Sequence, residues 1–127
     1  MFIEQPPLLY RMLFPETVWR IPMKDKAVYL TFDDGPIPEV TPWVLDLLDK
    51  YGIKATFFCV GDNVRKHPET YAEVLRRGHS VGNHTMHHLQ GSIVRRKRYI
   101  ADIEEAHGYI DSALFRPPHG LIRWKQA

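Results

Sequence analysis

Ala27-Val28-Tyr29-Leu30-Thr31-Phe32-Asp33-Asp34-Gly35-Pro36 is a short apolar run of strand-forming side chains that ends in two carboxylates and a Gly-Pro turn signal. It predicts a strand that delivers Asp33 and Asp34 to its C-terminal end. A helix should follow: Thr41 then Pro42 has the form of an N-cap with proline at the first helical position. Val44, Leu47, Leu48 and Tyr51 recur at helical spacing, and Gly52 ends the run. The unit then repeats. Ala55 to Val60 predicts a second strand, Gly61-Asp62-Asn63 a turn, and Pro68 opens a helix carrying Tyr71, Val74 and Leu75 that Gly78 closes. A third strand is expected over about Ser80 to Gly82. Beyond it, a helix from about Ser92 to Tyr109 would place Tyr99, Ile100, Ile103 and Ala106 on one face, and Leu114-Phe115-Arg116 would enter a fourth strand cut off by Pro117-Pro118.

Strands alternating with helices argue for parallel βα units, since a parallel connection needs a crossover of about a dozen residues or more. A doubly wound sheet and a segment of a barrel both satisfy that count. Residues 27–127 are expected to form one domain and residues 1–26 an N-terminal arm, with Leu8, Leu9, Leu13, Phe14, Val18 and Trp19 packing on it without a regular element. The chain has 127 residues, 44% of them apolar and 25% charged, which fits one globular unit. A net charge of +2 is too near balance to argue for nucleic acid or an anionic membrane as partner. The single cysteine, Cys59, excludes an internal disulfide and a multi-thiolate metal site. No run of eighteen apolar residues exists, and Glu4, Pro6, Pro7 and Arg11 interrupt the first twenty, so neither a span nor a signal peptide is expected and the default compartment is the cytoplasm. The basic run Arg95 to Arg98 opens a helix, where cations oppose the dipole. It should be solvated or paired with Asp102, Glu104 and Glu105.

Each informative polar cluster follows a predicted strand: Asp33-Asp34 the first, Asn83 to His88 the third, and Arg116 to Gly120 the fourth. In parallel α/β architectures ligands and catalysis sit at that edge. His84 and His88, four apart, can face the same side of a helical turn and grip one divalent ion, with Asp34 as the natural third ligand. Successive strand side chains alternate in direction, so Asp33 would be left to act as a base on the attacking water. Each piece also has an ordinary reading, as a turn, as surface histidines, or as an arginine that anchors a loop. His67, His79, His87 and His107 are assigned to ordinary packing and surface roles, with His87 the residue to watch because it lies between the two proposed ligands.

Thr31-Phe32-Asp33-Asp34-Gly35-Pro36, His84-Thr85-Met86-His87-His88 and Arg116-Pro117-Pro118-His119-Gly120 together resemble the first three motifs of the polysaccharide deacetylases, the NodB-homology family or carbohydrate esterase family 4. The resemblance runs from about Lys26 to Gly120. It implies a distorted, incomplete (β/α) barrel and a hydrolase that removes N-acetyl groups from chitin oligomers or peptidoglycan sugars, or O-acetyl groups from xylan. By it, Asp33 is the catalytic base, Arg116 the residue that orients it, and Asp34, His84 and His88 the ligands of one divalent ion, zinc by preference. The oxyanion would be held by the ion and a backbone N–H of the third motif, at Pro118-His119, and Thr85 would support the histidine loop. His119 departs from the aromatic residue common at its position, which a backbone donor tolerates. The family's later Asp/Trp and Leu-x-His motifs, the second of which carries the general acid, do not occur before Ala127. Loss of a general acid costs about 10²–10⁴-fold in rate. The expectation is therefore a weakened enzyme, with a metal- or carbohydrate-binding chain without turnover, or a small-amide hydrolase of the same fold, as alternatives. An unpartnered parallel edge further predicts self-association.

Overall fold

The structure, a computed structural model, describes residues 8–19, 21, 27–123 and 126. The rest of the expected arm, residues 1–7, 20 and 22–26, lies outside the described residues. Within the arm, a six-residue helix, α1 (Leu8–Leu13), forms where no regular element was expected, and Phe14 is its buried anchor. Leu8, Leu9 and Val18 are exposed instead of packed.

Three strands, β1 (Thr31–Asp33), β2 (Thr56–Cys59) and β3 (Ser80–Asn83), form a parallel sheet in the order β1-β2-β3. Phe32 pairs with Phe57, and Phe57 with Val81. The crossovers are helical: α2 (Thr41–Lys50) joins β1 to β2, and α3 (Gly61–Lys66) and α4 (Pro68–Arg76) join β2 to β3. The last helix, α5 (Arg96–His107), follows β3. Side-chain alternation sends Phe57, Cys59 and Val81 to one face, where they pack with Leu45 and Leu48 of α2, Val64 of α3, Val74 of α4 and Ile110. Each fully buried aliphatic or aromatic side chain contributes about 1.5–3 kcal/mol. The Phe32 and Phe57 rings stack at 5.1 Å between centroids. Arg77 bonds Asp46 and Asp49 of α2 and Glu73 of α4, fixing the two helices against each other at the rim.

Several expectations are corrected. The first strand begins at Thr31, not Ala27, because its neighbour starts only where the Thr56 N–H donates to the Leu30 carbonyl; Val28 and Tyr29 remain exposed. Gly61-Asp62-Asn63 opens α3 and is not a turn: Asp62 sits at the dipole's positive end and pairs with Arg65 and Lys66 one turn on. In α2, Thr41 is the first helical residue and Val40 the cap; the Thr41 hydroxyl accepts the Ile37 N–H, and the buried stripe is Thr41, Leu45 and Leu48, with Leu47 and Tyr51 outside it. Leu75 of α4 is likewise exposed. The last helix starts at Arg96; its basic run is exposed, and Asp102 turns inward instead of pairing with it. The fourth strand is reduced to one parallel bridge, Asn83 with Phe115, because after the Arg116 N–H donates to the Asn83 carbonyl two prolines supply no further donor.

The opposite sheet face carries Thr31, Asp33, Phe58 and Gly82. A Cβ on Gly82 would stand 2.5 Å from the Phe58 ring and 3.2 Å from the Leu114 Cβ. Gly82→Ala is therefore expected to destabilise the chain by about 1–3 kcal/mol, the usual cost of overpacking, as read by urea denaturation; an unchanged midpoint would contradict this packing.

Candidate metal centre

Among the described residues four non-glycine residues have positive φ: Asp34 (71°), Thr85 (65°), His88 (54°) and His119 (59°). Asp34 follows β1, Thr85 and His88 follow β3, and His119 follows the Asn83–Phe115 bridge. Such conformations cost about 1–3 kcal/mol each and persist only where the surroundings over-determine them. The surroundings here are specific. The Asn83 side chain accepts the Thr85 N–H at 2.8 Å, and the Thr85 hydroxyl accepts the Leu89 N–H at 3.2 Å. Gly61 and Asp62, at the start of α3, donate their N–H groups to the carbonyls of Thr85 and Met86. Asn63 donates its side-chain amide to the Asp34 carbonyl at 2.7 Å.

The result is a tight donor set. His84 Nε2 lies 3.4 Å and His88 Nε2 3.0 Å from Asp34 Oδ1, and the ligand atoms of all three residues fall within 4.8 Å of one another. His84 is 2% exposed, and its Nδ1 lies 2.7 Å from the Arg116 carbonyl. A carbonyl only accepts, so Nδ1 carries the proton and Nε2 presents its lone pair toward Asp34. That is the second partner a metal-ligating histidine commonly has. Burial holds the His84 pKa below its ordinary value and favours the neutral imidazole that ligation needs. Two imidazole nitrogens and one carboxylate leave positions open for water and substrate, so the residues present fit one divalent ion. The convergence differs from the helical turn expected: residues 84–90 are a loop, and its left-handed residues bring His84 and His88 together.

Asp33 is not one of this donor set and has its own partner. Its Oδ1 accepts from Arg116 Nη1 at 2.7 Å, and the same nitrogen lies 2.8 Å from the Thr31 hydroxyl. The guanidinium stands 4.0 Å above the Phe58 ring centroid. Arg116 thus binds Asp33 through its side chain and His84 through its carbonyl. His119 is exposed on the turn Pro118–Gly120, its ring 4.8 Å from that of His88. Pro118 is corrected: it has no N–H and is buried, so it offers a substrate neither donor nor surface and instead fixes the turn. Asn63, Phe58 and Asp102 were not singled out from the sequence as parts of this site. Only Asp102, an acid on the buried side of an otherwise apolar helix face, left a signal that could have found it.

His79 also has its pKa lowered, chiefly by burial; its Nδ1 accepts the Ala55 N–H at 3.2 Å. For His79 and His84 alike, the unfolded chain binds a proton at about pH 6.5 that the folded chain refuses. Their neutral forms thus support the fold above pH 6.5, and that support is lost as pH falls below it. Urea midpoints of the metal-free chain should fall between pH 7 and pH 5; a flat profile would contradict the assignment.

A parallel α/β unit that gathers two imidazoles and a carboxylate over its strand ends has residues that could hold a divalent ion at that edge. Comparison with known proteins narrows this reading. The polysaccharide deacetylase family model matches residues 20–125. A peptidoglycan-N-acetylglucosamine deacetylase of Bacillus cereus is 42% identical over 109 residues, covering 82% of this chain and 51% of its own length. A chitooligosaccharide deacetylase of Rhizobium leguminosarum is 40% identical over 89 residues, covering 70% of this chain and 41% of its own length. Among solved structures, the peptidoglycan deacetylase PdaC of Bacillus subtilis superposes with a TM-score of 0.77 at 37% identity, over 81% of this chain and 54% of that one. A family 4 carbohydrate esterase of Streptomyces lividans gives 0.72 at 28% identity, over 78% and 54%. The chain belongs to the polysaccharide deacetylase family, carbohydrate esterase family 4, and its sheet and helices are part of that family's α/β barrel. It spans about half the length of the first of these relatives. Among the described residues no helix is long and apolar enough to cross a membrane.

Proposed function

We propose that this chain carries the metal-binding part of a zinc-dependent N-deacetylase acting on acetylated amino-sugar polymers such as peptidoglycan or chitin-like oligomers, with residues 27–127 as the deacetylase domain and residues 1–26 as its N-terminal arm. One observation carries the reading: the donor atoms of Asp34, His84 and His88 converge beside a carboxylate, Asp33, that is held by an arginine. A zinc ion held by the three ligands would supply Lewis acidity at the acetyl carbonyl and ease deprotonation of water. Asp33 then takes the proton of the attacking water, Arg116 keeps its carboxylate aimed, the His119 backbone N–H stabilises the oxyanion, and as the C–N bond breaks the proton on Asp33 passes to the leaving amine nitrogen. The amide form of the substrate is favoured by the names of the relatives, each a deacetylase of an N-acetyl sugar or chitooligosaccharide.

Acetate release from chito-oligosaccharide and from peptidoglycan, with and without added zinc, tests this directly. Zinc-dependent release from either substrate is expected. Zinc binding with no release would favour a binding role without turnover. We also propose that the chain self-associates, because Val28, Tyr29, Leu114 and Phe115 stay exposed beside the sheet. Light scattering should show a mass above that of one chain as concentration rises; a monodisperse monomer would contradict it.

A further inference from the structure

The loop that presents His84 and His88 rests on a buried carboxylate of α5. Asp102 is 7% exposed, and its Oδ2 accepts the N–H groups of Met86 at 2.9 Å and His87 at 3.0 Å. Its Oδ1 lies 2.7 Å from His87 Nδ1, and its backbone carbonyl also accepts from Met86 N at 3.1 Å. Among the described residues its side-chain partner is His87, so this carboxylate is satisfied by the loop and not by an arginine or lysine. A buried carboxylate without such hydrogen bonds is costly, which makes the attachment mutual. The two clamped residues stand between Thr85 and His88, whose backbones are left-handed. Met86 is itself buried, with its sulfur where a Cβ on Gly61 would fall, so the loop is pinned from α3 as well. Release of the Asp102 clamp would free the segment between the two ligands to relax toward ordinary backbone angles, moving His88 relative to His84.

We infer that Asp102, with His87, is a positioning residue that sets the metal affinity of the centre by holding residues 86–87 between the two histidine ligands. This inference rests on the reading of Asp34, His84 and His88 as the ligands. The donor atoms of His87, Asp102 and Glu105 also lie within 4.8 Å of one another, so a ligand role for Asp102 makes a different prediction about stoichiometry.

Zinc titration of the metal-free full chain against a competing chelator separates these outcomes, with apo thermal unfolding recorded for every variant. Asp102→Asn is expected to weaken zinc by about 10–100-fold, the range seen when a ligand's supporting partner is removed, with one zinc still bound at saturation. His87→Ala, which removes a half-exposed ring and leaves the backbone clamp in place, should weaken zinc several-fold with an unchanged apo unfolding temperature. It decides the matter if Asp102→Asn does not fold. Zinc binding by both variants within twofold of the unmodified chain, while Asp34→Ala loses it, would overturn the inference and leave the ligand assignment standing. Binding by Asp34→Ala equal to that of the unmodified chain would overturn both. A fall from two bound zinc ions to one in Asp102→Asn would make Asp102 a ligand and also overturn the positioning role.

Discussion

His84→Ala is expected to weaken zinc binding by more than about a hundredfold, since removing mere supporting partners of ligands already costs about 10–100-fold. Two features of His84 make it the sharpest of the three ligand positions. Its ring is buried and pre-aimed, with Nδ1 held by the Arg116 carbonyl and Nε2 facing Asp34. Its loss also strips a donor from Arg116, the residue that holds Asp33. The bond from Nδ1 is part-buried, and a fully buried acceptor left unsatisfied costs about 1–3 kcal/mol, so a smaller loss of stability should accompany the loss of metal. Isothermal titration with zinc, paired with thermal unfolding of the metal-free variant, reads both. Retention of wild-type affinity would remove His84 from the ligand set.

Asp33→Asn should behave in the opposite manner. The variant keeps size and shape but loses the proton acceptor, which is expected to lower deacetylation by about 10²–10⁴-fold while zinc affinity stays within a few-fold. Stability should hardly change. The Asp33 and Arg116 side chains are both more than a third exposed, and an ion pair in that setting contributes about 0–1 kcal/mol. Acetate release assayed beside zinc titration separates the two roles: rate lost with metal kept marks a base, and metal lost with the rate marks a ligand. Undiminished acetate release by Asp33→Asn would remove Asp33 from the chemistry.

Much of this arrangement was legible in the sequence because its signals are local. The apolar run before Asp33, the Thr41-Pro42 helix start, the Gly52 and Gly78 stops and the positions of three polar clusters after strands all follow from patterns within a dozen residues. Asp34, His84 and His88 were named on that basis and their donor atoms do converge. What could not be read depends on distant partners. The histidine spacing suggested a helical turn, but the left-handed backbone at Thr85 and His88 is imposed by Asn83, by the start of α3 and by Asp102. Asp102 was read as a partner for the basic run because both lie on one helix. Its burial against the histidine loop is set by a residue pair fifteen apart in sequence. The fourth strand failed for a reason present in the sequence: Pro117 and Pro118 end the supply of N–H donors just where the ladder would extend. The turn chemistry of Gly61-Asp62-Asn63 masked α3, whose signal was the spacing of Asp62 from Arg65 and Lys66.

The central claim is that the loops after β1 and β3 build one zinc centre from Asp34, His84 and His88. Anomalous diffraction at the zinc absorption edge, from crystals of the full chain grown with zinc, tests it most directly. One strong peak is predicted about 2.0–2.2 Å from Nε2 of His84, from Nε2 of His88 and from a carboxylate oxygen of Asp34. A peak beside His87, Asp102 and Glu105 with none at the predicted position, or no peak in a crystal saturated with zinc, would contradict it.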